Sequence, residues 1–508
     1  MWKPKFMRKD EETEFEYNDN GYLIENENSL HGKRKITVIT PVYNAAGTLS
    51  KTVDSVIAQS IGFSNIEYII VDDKSTDSSR DTIKKYAKQH NNIIPVYLEE
   101  NSGTPARPRN LGIELATSEY VFFLDADDWL EEDGLEILYD IMEETGDNYA
   151  VGKTMRAETG GDGIAGEHQS VKERRSVSPF TIPNSFQHLG PTARMMRRKI
   201  LTEGDIRFPA MKYAEDKQFF IDVLLSSPAI STTKKIIHYA NRLDDNDGSL
   251  TAQTSIMEKT DSNIAVINHV KSKKLPVEQE QIILNRLYEF DCITRLFDRN
   301  HFLKSKAKKK YYQKFQEVLD TSRDLPYDIS DNFFHPFNKV IYELFVDHKY
   351  KELEELIRWH KGVKLRPHVI QDGQPFMLTP FTEEDHHLIR VPILAYYQTG
   401  KFEDEQYKLD IQVYGDYAKR VNELVMRNRQ NINEEFTVDL DLDSQGNGSI
   451  AVDLAKLNEL PNSNYEIFIR YDEFRKTGIL RPELIQFHDR TFNFYTTVKS
   501  NLGLKISE

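Results

Sequence analysis

Between residues 35 and 124, short β-rich runs alternate with stretches of helical spacing. Residues 36–40 predict a strand, and 48–59 carry Leu49, Val53 and Val56 at the spacing of one helix face. Residues 68–71 are continuously apolar, the mark of a strand buried on both faces. Residues 82–90 predict a helix, 93–98 a third strand, 108–116 a further helix, and 120–124 a fourth strand. Strands separated by helices imply right-handed βαβ units and a parallel sheet with both faces covered. Ligands of such sheets bind beyond the carboxyl ends of the strands. Polar clusters stand at those ends: Pro41-Val42-Tyr43-Asn44, Asp72-Asp73-Lys74-Ser75-Thr76-Asp77, Asn101-Ser102-Gly103 and Asp125-Ala126-Asp127-Asp128. Four successive strands thus deliver polar or acidic residues to one sheet edge.

The rest of the chain follows other periods. Residues 1–34 are a polar extension, and the α/β domain spans 35–254. Residues 255–377 are mostly helical and charge-rich, with Ile283, Leu284, Leu287 and Phe290 as an apolar stripe. The lysines between 304 and 310 clothe a solvated helix face. Beyond Tyr407 the period becomes two: Leu409, Ile411 and Val413 alternate with polar residues, then Phe436, Val438, Leu440 and Leu442, then Ile450, Val452 and Leu454, then Tyr465, Ile467, Ile469 and Tyr471. Ser444-Gln445-Gly446-Asn447-Gly448 supplies hairpin-turn chemistry between two of these runs. Residues 378–508 are accordingly expected to form an all-β, sandwich-like module.

Composition narrows the function classes. The 508 residues leave room for about three domains. The net charge of -15 argues against the whole chain binding nucleic acid, whose phosphates need a cationic surface. No apolar run approaches the ~18 residues of a membrane span, and the charged N-terminus lacks the apolar core of a secretory signal. Cys292 is the only cysteine, which excludes an internal disulfide framework and a cysteine-built zinc site. A reducing cytoplasm is the expected compartment.

The acidic cluster after the fourth strand carries the strongest chemistry. Two carboxylates spaced by one residue, where a strand ends and side chains flare, can share a hard divalent cation with phosphate oxygens. Around it the chain resembles family 2 glycosyltransferases with the nucleotide-sugar-binding GT-A fold over residues 35–251. The resemblance rests on Thr40-Pro41-Val42-Tyr43-Asn44, Val71-Asp72-Asp73-Lys74-Ser75-Thr76-Asp77, Pro108-Arg109-Asn110-Leu111-Gly112, Leu124-Asp125-Ala126-Asp127-Asp128 and Ala214-Glu215-Asp216-Lys217-Gln218-Phe219-Phe220. It implies that Pro41, Tyr43 and Asp73 hold uridine, Asp73 accepting from the uracil imide, with Asn101 and Arg109 completing the pocket. Asp125 and Asp127 correspond to the sugar-nucleotide and metal-binding acids, for Mn²⁺ or Mg²⁺, with Asp128 assisting. Asp216 matches the general base of inverting members, and Glu215 lies beside it. The one departure is Lys74, where many relatives have glycine, and it implies a turn that does not require positive φ.

Plainer roles stand beside these. Asp73 is equally placed to cap the following helix, Arg109 to be a surface cation, and Glu215 and Asp216 to stabilise a helix N-terminus against its dipole. Arg242, in His238-Tyr239-Ala240-Asn241-Arg242 ahead of Asp247-Gly248-Ser249-Leu250, is a phosphate contact or a structural salt bridge. Arg194, Arg197 and Arg198 either greet an anionic acceptor or clothe a helix. His386 and His387 after Asp385 point in different directions, as in a surface loop.

Through Asn101-Ser102-Gly103, Pro108-Arg109-Asn110, Val121-Phe122-Phe123-Leu124-Asp125 and Ala214-Glu215-Asp216, the chain also resembles the wall teichoic acid sugar transferases of Gram-positive bacteria. That resemblance implies UDP-N-acetylglucosamine as donor and a poly(ribitol phosphate) or similar anionic polyol-phosphate or polysaccharide as acceptor, glycosylated in the cytoplasm with peripheral contact at the inner membrane face. A capsule or exopolysaccharide transferase is the alternative, and a non-catalytic scaffold the alternative of another class. In the β-module, Phe492, Phe494 and Tyr495 offer surface for self-association, and a homotrimer that truncation after Ser330 converts to monomer is the expectation.

Overall fold

The computed structural model describes residues 16–159, 162–243, 254–363, 366–381 and 386–480, together with the backbone of strands 484–487, 490–496 and 502–507. Two compact units divide the chain: residues 1–157, 172–182 and 188–262 in the first, and 158–171, 183–187 and 263–508 in the second.

The first unit is a mixed sheet. In chain order its elements are β1 (Tyr22–Ile24), β2 (Ile36–Val42), α1 (Leu49–Ile57), β3 (Ile66–Asp72), α2 (Ser79–Gln89), β4 (Ile93–Leu98), α3 (Ala106–Leu115) and β5 (Tyr120–Phe123). There follow β6 (Trp129–Leu130), α4 (Gly134–Thr145), β7 (Tyr149–Glu158), β8 (Arg194–Arg197), α5 (Glu215–Leu225) and β9 (Ile230–Arg242). The strands lie in the order β1-β4-β3-β2-β5-β8-β7-β9-β6. The centre is parallel, β4 with β3, β3 with β2 and β2 with β5, as the alternation of strands and helices predicts. Every residue of β3 and β4 is buried, which accounts for the apolar runs at 68–71 and 93–98.

Two features differ from the sequence reading. The stretch taken as a polar extension contains β1, which pairs antiparallel with β4 from Tyr22 opposite Leu98 to Ile24 opposite Val96. The sheet also extends past β5 through antiparallel β8 and β7. Arg194 sits in β8 wholly buried, its guanidinium carbon 4.9 Å from the Phe220 ring centre. Arg197 is paired with Glu119, and Arg198 Nε donates to the Ser118 carbonyl at 3.1 Å. These three arginines brace the sheet.

Gly112 sets the depth at which α3 lies on the sheet: a Cβ there would come within 2.4 Å of Ile39 Cγ2. No larger residue fits without lifting the helix.

In the second unit, helices run from Val277–Asn285 to Tyr350–Gly362 around Phe297, Phe302, Phe315 and Phe345, with ring centres 4.7 to 5.2 Å apart for Phe315–Phe345, Phe297–Phe302 and Phe297–Phe315. Ile283, Leu284 and Leu287 are buried as the apolar stripe requires, but Phe290 is 38% exposed. The reason is the winding. Residues Arg286–Thr294 form a π-helix, whose i→i+5 bonds displace every later side chain from the α-helical face. Glu289 and Asp291 turn inward instead. Glu289 accepts from the Phe334 and His335 N–H groups, and Asp291 pairs with Arg286 and Arg295.

β-Structure begins at His368, ahead of the expected boundary at 378. The expected C-terminal β-module follows. Seven strands run in the order Glu435–Asp439, Val421–Asn428, Tyr465–Tyr471, Arg475–Leu480, Leu394–Glu403, Gln406–Tyr414, Asn447–Asp453, a sheet that nearly closes into a barrel. Its core takes Leu409, Ile411, Val413, Leu440, Ile450, Val452, Ile469 and Tyr471 from the two-residue period, with Phe436, Val438, Leu442 and Tyr465 partly buried against it; Ile467 lies outside it, 46% exposed. The turn at Gly446 has φ +82°, and a Cβ there would meet the Val413 carbonyl at 2.1 Å. The side chains of Phe492, Phe494 and Tyr495 lie outside the described residues.

Candidate active site

Three parallel strands end side by side, and the loops after them are sewn together. Asn44, after β2, donates its N–H to Ser75 Oγ at 3.0 Å and accepts from the Thr76 N–H at 2.8 Å. Asp77 accepts from the Ser79 N–H at the start of α2, so Asp77 takes up the capping work. Asp73 is left for something else. Its Oδ1 accepts from the Ser102 N–H and its Oδ2 from the Ser102 hydroxyl, both at 2.8 Å, and Asn101 Nδ2 donates to the Asp73 carbonyl at 2.8 Å. Burial pushes the Asp73 carboxyl up, against the pull of the Ser102 hydrogen bonds. Pro41 is half-buried beside this loop and Tyr43 is 54% exposed. Lys74, between Asp73 and Ser75, has φ +59°. The turn therefore does demand the left-handed conformation, and a lysine adopts it where glycine would do so freely.

The acidic turn after β5 is fixed from both sides. The Thr52 hydroxyl lies 2.9 and 2.7 Å from the Ala126 and Asp128 carbonyls, and the Thr48 hydroxyl donates to the Ala126 carbonyl. Across the turn, Asp128 faces β9. Its Oδ2 is 2.8 Å from His238 Nε2 and its Oδ1 accepts from the Asn241 N–H at 2.8 Å. The carboxylate expected to assist at the metal is thus spent inside the protein. Asp125 and Asp127 remain half-buried.

Arg109, on α3, joins this turn to the start of α5. It is 4% exposed, and it reaches Asp125 Oδ1 at 2.7 Å and Glu215 Oε1 at 3.4 Å. The reading of Arg109 as a surface cation is therefore excluded. Burial raises the Asp125 carboxyl, but the Arg109 charge and hydrogen bond, with Arg242 contributing, bring it below the usual range. Glu215 goes the other way. Burial first, and then the neighbouring Asp216 charge, push it up to about 7. Asp216 is raised by burial and accepts from the Lys217 N–H at 2.8 Å. Both acids occupy the first turn of α5, entered through Ala214 at φ +64°. The helix dipole is favourable for the pair as well.

The structure thus brings together Asp73 with Asn101, and Arg109 with Asp125 and Glu215–Asp216. Arg242 is exposed at the end of β9, and the segment 247–250 lies outside the described residues. Sequence reasoning missed Ser102 as the partner of Asp73, and His238 and Asn241 as partners of Asp128. His387 Nδ1 meets the Phe381 carbonyl at 2.5 Å and His386 lies 3.6 Å from Glu343, a loop arrangement; Asp385 lies outside the described residues.

The donor set at the acidic turn is all oxygen, which suits Mg²⁺ or Mn²⁺. Among the described residues no group of three or more His, Cys, Asp or Glu side chains is arranged around a common centre. With Asp128 engaged elsewhere, Asp125 and Asp127 fit an ion that completes its shell with substrate phosphates and water, the usual habit of Mg²⁺ at phosphate sites.

Comparison with known proteins agrees with the fold. Residues 37–204 match the model of the glycosyl transferase family 2. The chain is 32% identical over 206 residues to a poly(ribitol-phosphate) beta-glucosyltransferase of Bacillus spizizenii, covering 40% of this chain and 32% of that protein. It is 32% identical over 212 residues to the poly(ribitol-phosphate) beta-N-acetylglucosaminyltransferase TarP of Staphylococcus aureus, covering 41% of this chain and 62% of that one. The chain therefore spans less than two thirds of either relative. The crystal structure of S. aureus TarS superposes with a TM-score of 0.58 at 18% identity, over 93% of this chain and 85% of that one. Among the described residues no helix is long and apolar enough to cross a membrane.

Proposed function

We propose, from the match of residues 37–204 to the model of the glycosyl transferase family 2, that the chain is a member of that family and moves a sugar from a UDP-sugar to a hydroxyl of an anionic polyol-phosphate polymer, with inversion. The observation that carries the reading is the double reach of Arg109, which ties the acidic turn at Asp125 to the carboxyl pair Glu215–Asp216. Donor chemistry and acceptor chemistry need such neighbours.

In this mechanism Pro41, Tyr43, Asp73 and Asn101 hold the uridine, and Arg109 and Arg242 face the diphosphate. Asp125 and Asp127 would hold Mg²⁺ or Mn²⁺, which supplies Lewis-acid neutralisation of the departing diphosphate. Asp216 takes the proton of the acceptor hydroxyl as its oxygen attacks the anomeric carbon. The carbon–oxygen bond to UDP breaks on the opposite face, its electron pair leaving on UDP, so one displacement inverts the centre. Glu215, held by Arg109, has its own carboxyl pushed up to about 7 by burial and then by the Asp216 charge.

Support for the substrates comes from relatives. TarP and the Bacillus spizizenii protein are named for poly(ribitol-phosphate), and residues 1–349 of TarS have been crystallised with UDP-GlcNAc. UDP-GlcNAc is our donor, and the glucosyltransferase name makes UDP-glucose the second. We place the reaction in the cytoplasm, with peripheral contact at the inner membrane face, and in a homotrimer assembled through the C-terminal module. The test is transfer by the full chain from each UDP-sugar to purified poly(ribitol phosphate) with Mn²⁺. Sugar incorporation matched by UDP release is expected. No UDP release from any UDP-sugar would overturn the reading.

A further inference from the structure

The carboxylate of Asp128 is buried and turned toward β9. It bonds His238 Nε2 and the Asn241 N–H, each at 2.8 Å, and these two residues stand near the end of β9, just before Arg242. Its own N–H donates to the Asp125 carbonyl at 3.1 Å. Asp128 is therefore the joint between the turn that carries Asp125 and Asp127 and the strand that carries Arg242.

His238 is an odd residue to find there if packing were its only task. It is 1% exposed, beside Phe122 and paired in strand register with Leu130, and no group meets its Nδ1. A buried ring nitrogen without a partner is unfavourable, and a leucine would fill the space without that cost. What the imidazole offers and leucine lacks is the Nε2 hydrogen bond to Asp128. Thr48 and Thr52 hold the backbone of the same turn from α1, so His238 supplies the restraint on the opposite flank.

We propose that His238 and Asp128 form a positioning pair, which holds the Asp125–Asp127 turn and the Arg242 end of β9 in the relative placement that a metal-bound nucleoside diphosphate requires. The pair touches no reacting atom. The inference rests on the donor reading above, and groups that orient ligand carboxylates govern metal affinity by about 10- to 100-fold in comparable sites.

The test is calorimetric titration of the full chain with UDP and Mn²⁺, alongside thermal unfolding and donor kinetics. In His238→Leu the Kd for UDP with Mn²⁺ should rise about 10-fold or more, and the KM for the UDP-sugar should rise with it while kcat at saturation stays within about threefold. His238→Gln, which can present an amide N–H in place of Nε2–H, should recover most of the affinity, and Asp128→Asn should behave like the leucine variant. A histidine that serves packing alone would lower Tm in His238→Leu and leave the Kd unchanged, which overturns the proposal. Should the leucine variant not fold, His238→Gln and Asp128→Asn decide: wild-type affinity in the first with a weakened second supports the pair, and equal affinity overturns it. A wild-type chain that binds no UDP with Mn²⁺ removes the donor reading and the pair together, whereas wild-type binding unchanged in His238→Leu removes the pair alone.

Discussion

Arg109 donates to Glu215 at 3.4 Å although 106 positions of chain separate them. Glu215 nevertheless has a carboxyl raised from 4.5 to about 7, because burial and the Asp216 charge outweigh the guanidinium. The folded state therefore holds this proton more tightly than the unfolded chain does. Its contribution to stability is complete below pH 4.5 and is lost as pH rises through about 7. Glu215→Gln removes that dependence. The variant should gain stability relative to wild type between pH 5 and 8, by an amount of order a few kcal/mol at most. Urea midpoints of the two proteins at both pH values check this, and parallel curves would exclude it.

Loss of the Asp127 carboxylate from the acidic turn should remove donor handling. Asp127→Ala is expected to reduce transfer by at least ~10²-fold, and EDTA should do the same to wild type, with recovery on adding Mn²⁺. Full activity in EDTA would take the metal out of the mechanism.

The proposed base separates chemistry from binding. Asp216→Asn keeps the size and the acceptance from the Lys217 N–H but takes no proton, so transfer should fall ~10²-fold or more. The Kd for UDP should stay near wild type. An equal loss of UDP affinity would assign Asp216 to the nucleotide instead.

Lys74 occupies the left-handed region at φ +59°. Lys74→Gly trades relief of that strain against glycine's greater unfolded-state freedom, and should change stability by less than about 1 kcal/mol. Lys74→Val, β-branched, should cost about 1–2 kcal/mol. Thermal unfolding distinguishes the two, and a valine variant as stable as wild type would contradict the conformation.

The helical body moves the informative truncation point. Phe345 packs edge-on to Phe315 at 4.7 Å, and Leu353, Leu356 and Ile357 are buried, so a cut after Ser330 would open a core. Truncation after Val363 spares it. By light scattering, that protein should be monomeric where the full chain is trimeric, and should still hydrolyse UDP-sugar. A monomeric full chain would end the trimer proposal.

Much of the site was legible because a parallel sheet turns sequence order into position. Asp73, Asn101 and Asp125 follow strands whose apolar runs are unmistakable, so their shared edge follows from topology alone. Asp128 was misjudged because it adjoins Asp127 in sequence, yet the chain turns between Asp125 and Asp128, closed by the Asp128 N–H to the Asp125 carbonyl, and its partner His238 lies 110 positions on. Arg194 was misplaced for a related reason. A four-residue strand of Arg-Met-Met-Arg carries no period long enough to reveal that its first arginine is interior. Phe290 failed because the 3.6-residue count does not apply inside a π-helix.

Gly112 has a mechanical consequence for catalysis. It stands one turn after Arg109 on α3, at the point where the helix backbone rests on Ile39. A single added methyl would act as a shim under the helix, and the arm that carries the guanidinium would rise with it. Ion-pair geometry is steep in distance, so the charge balance between Asp125 and Glu215 is calibrated by the thickness of one residue that is neither charged nor in contact with either acid.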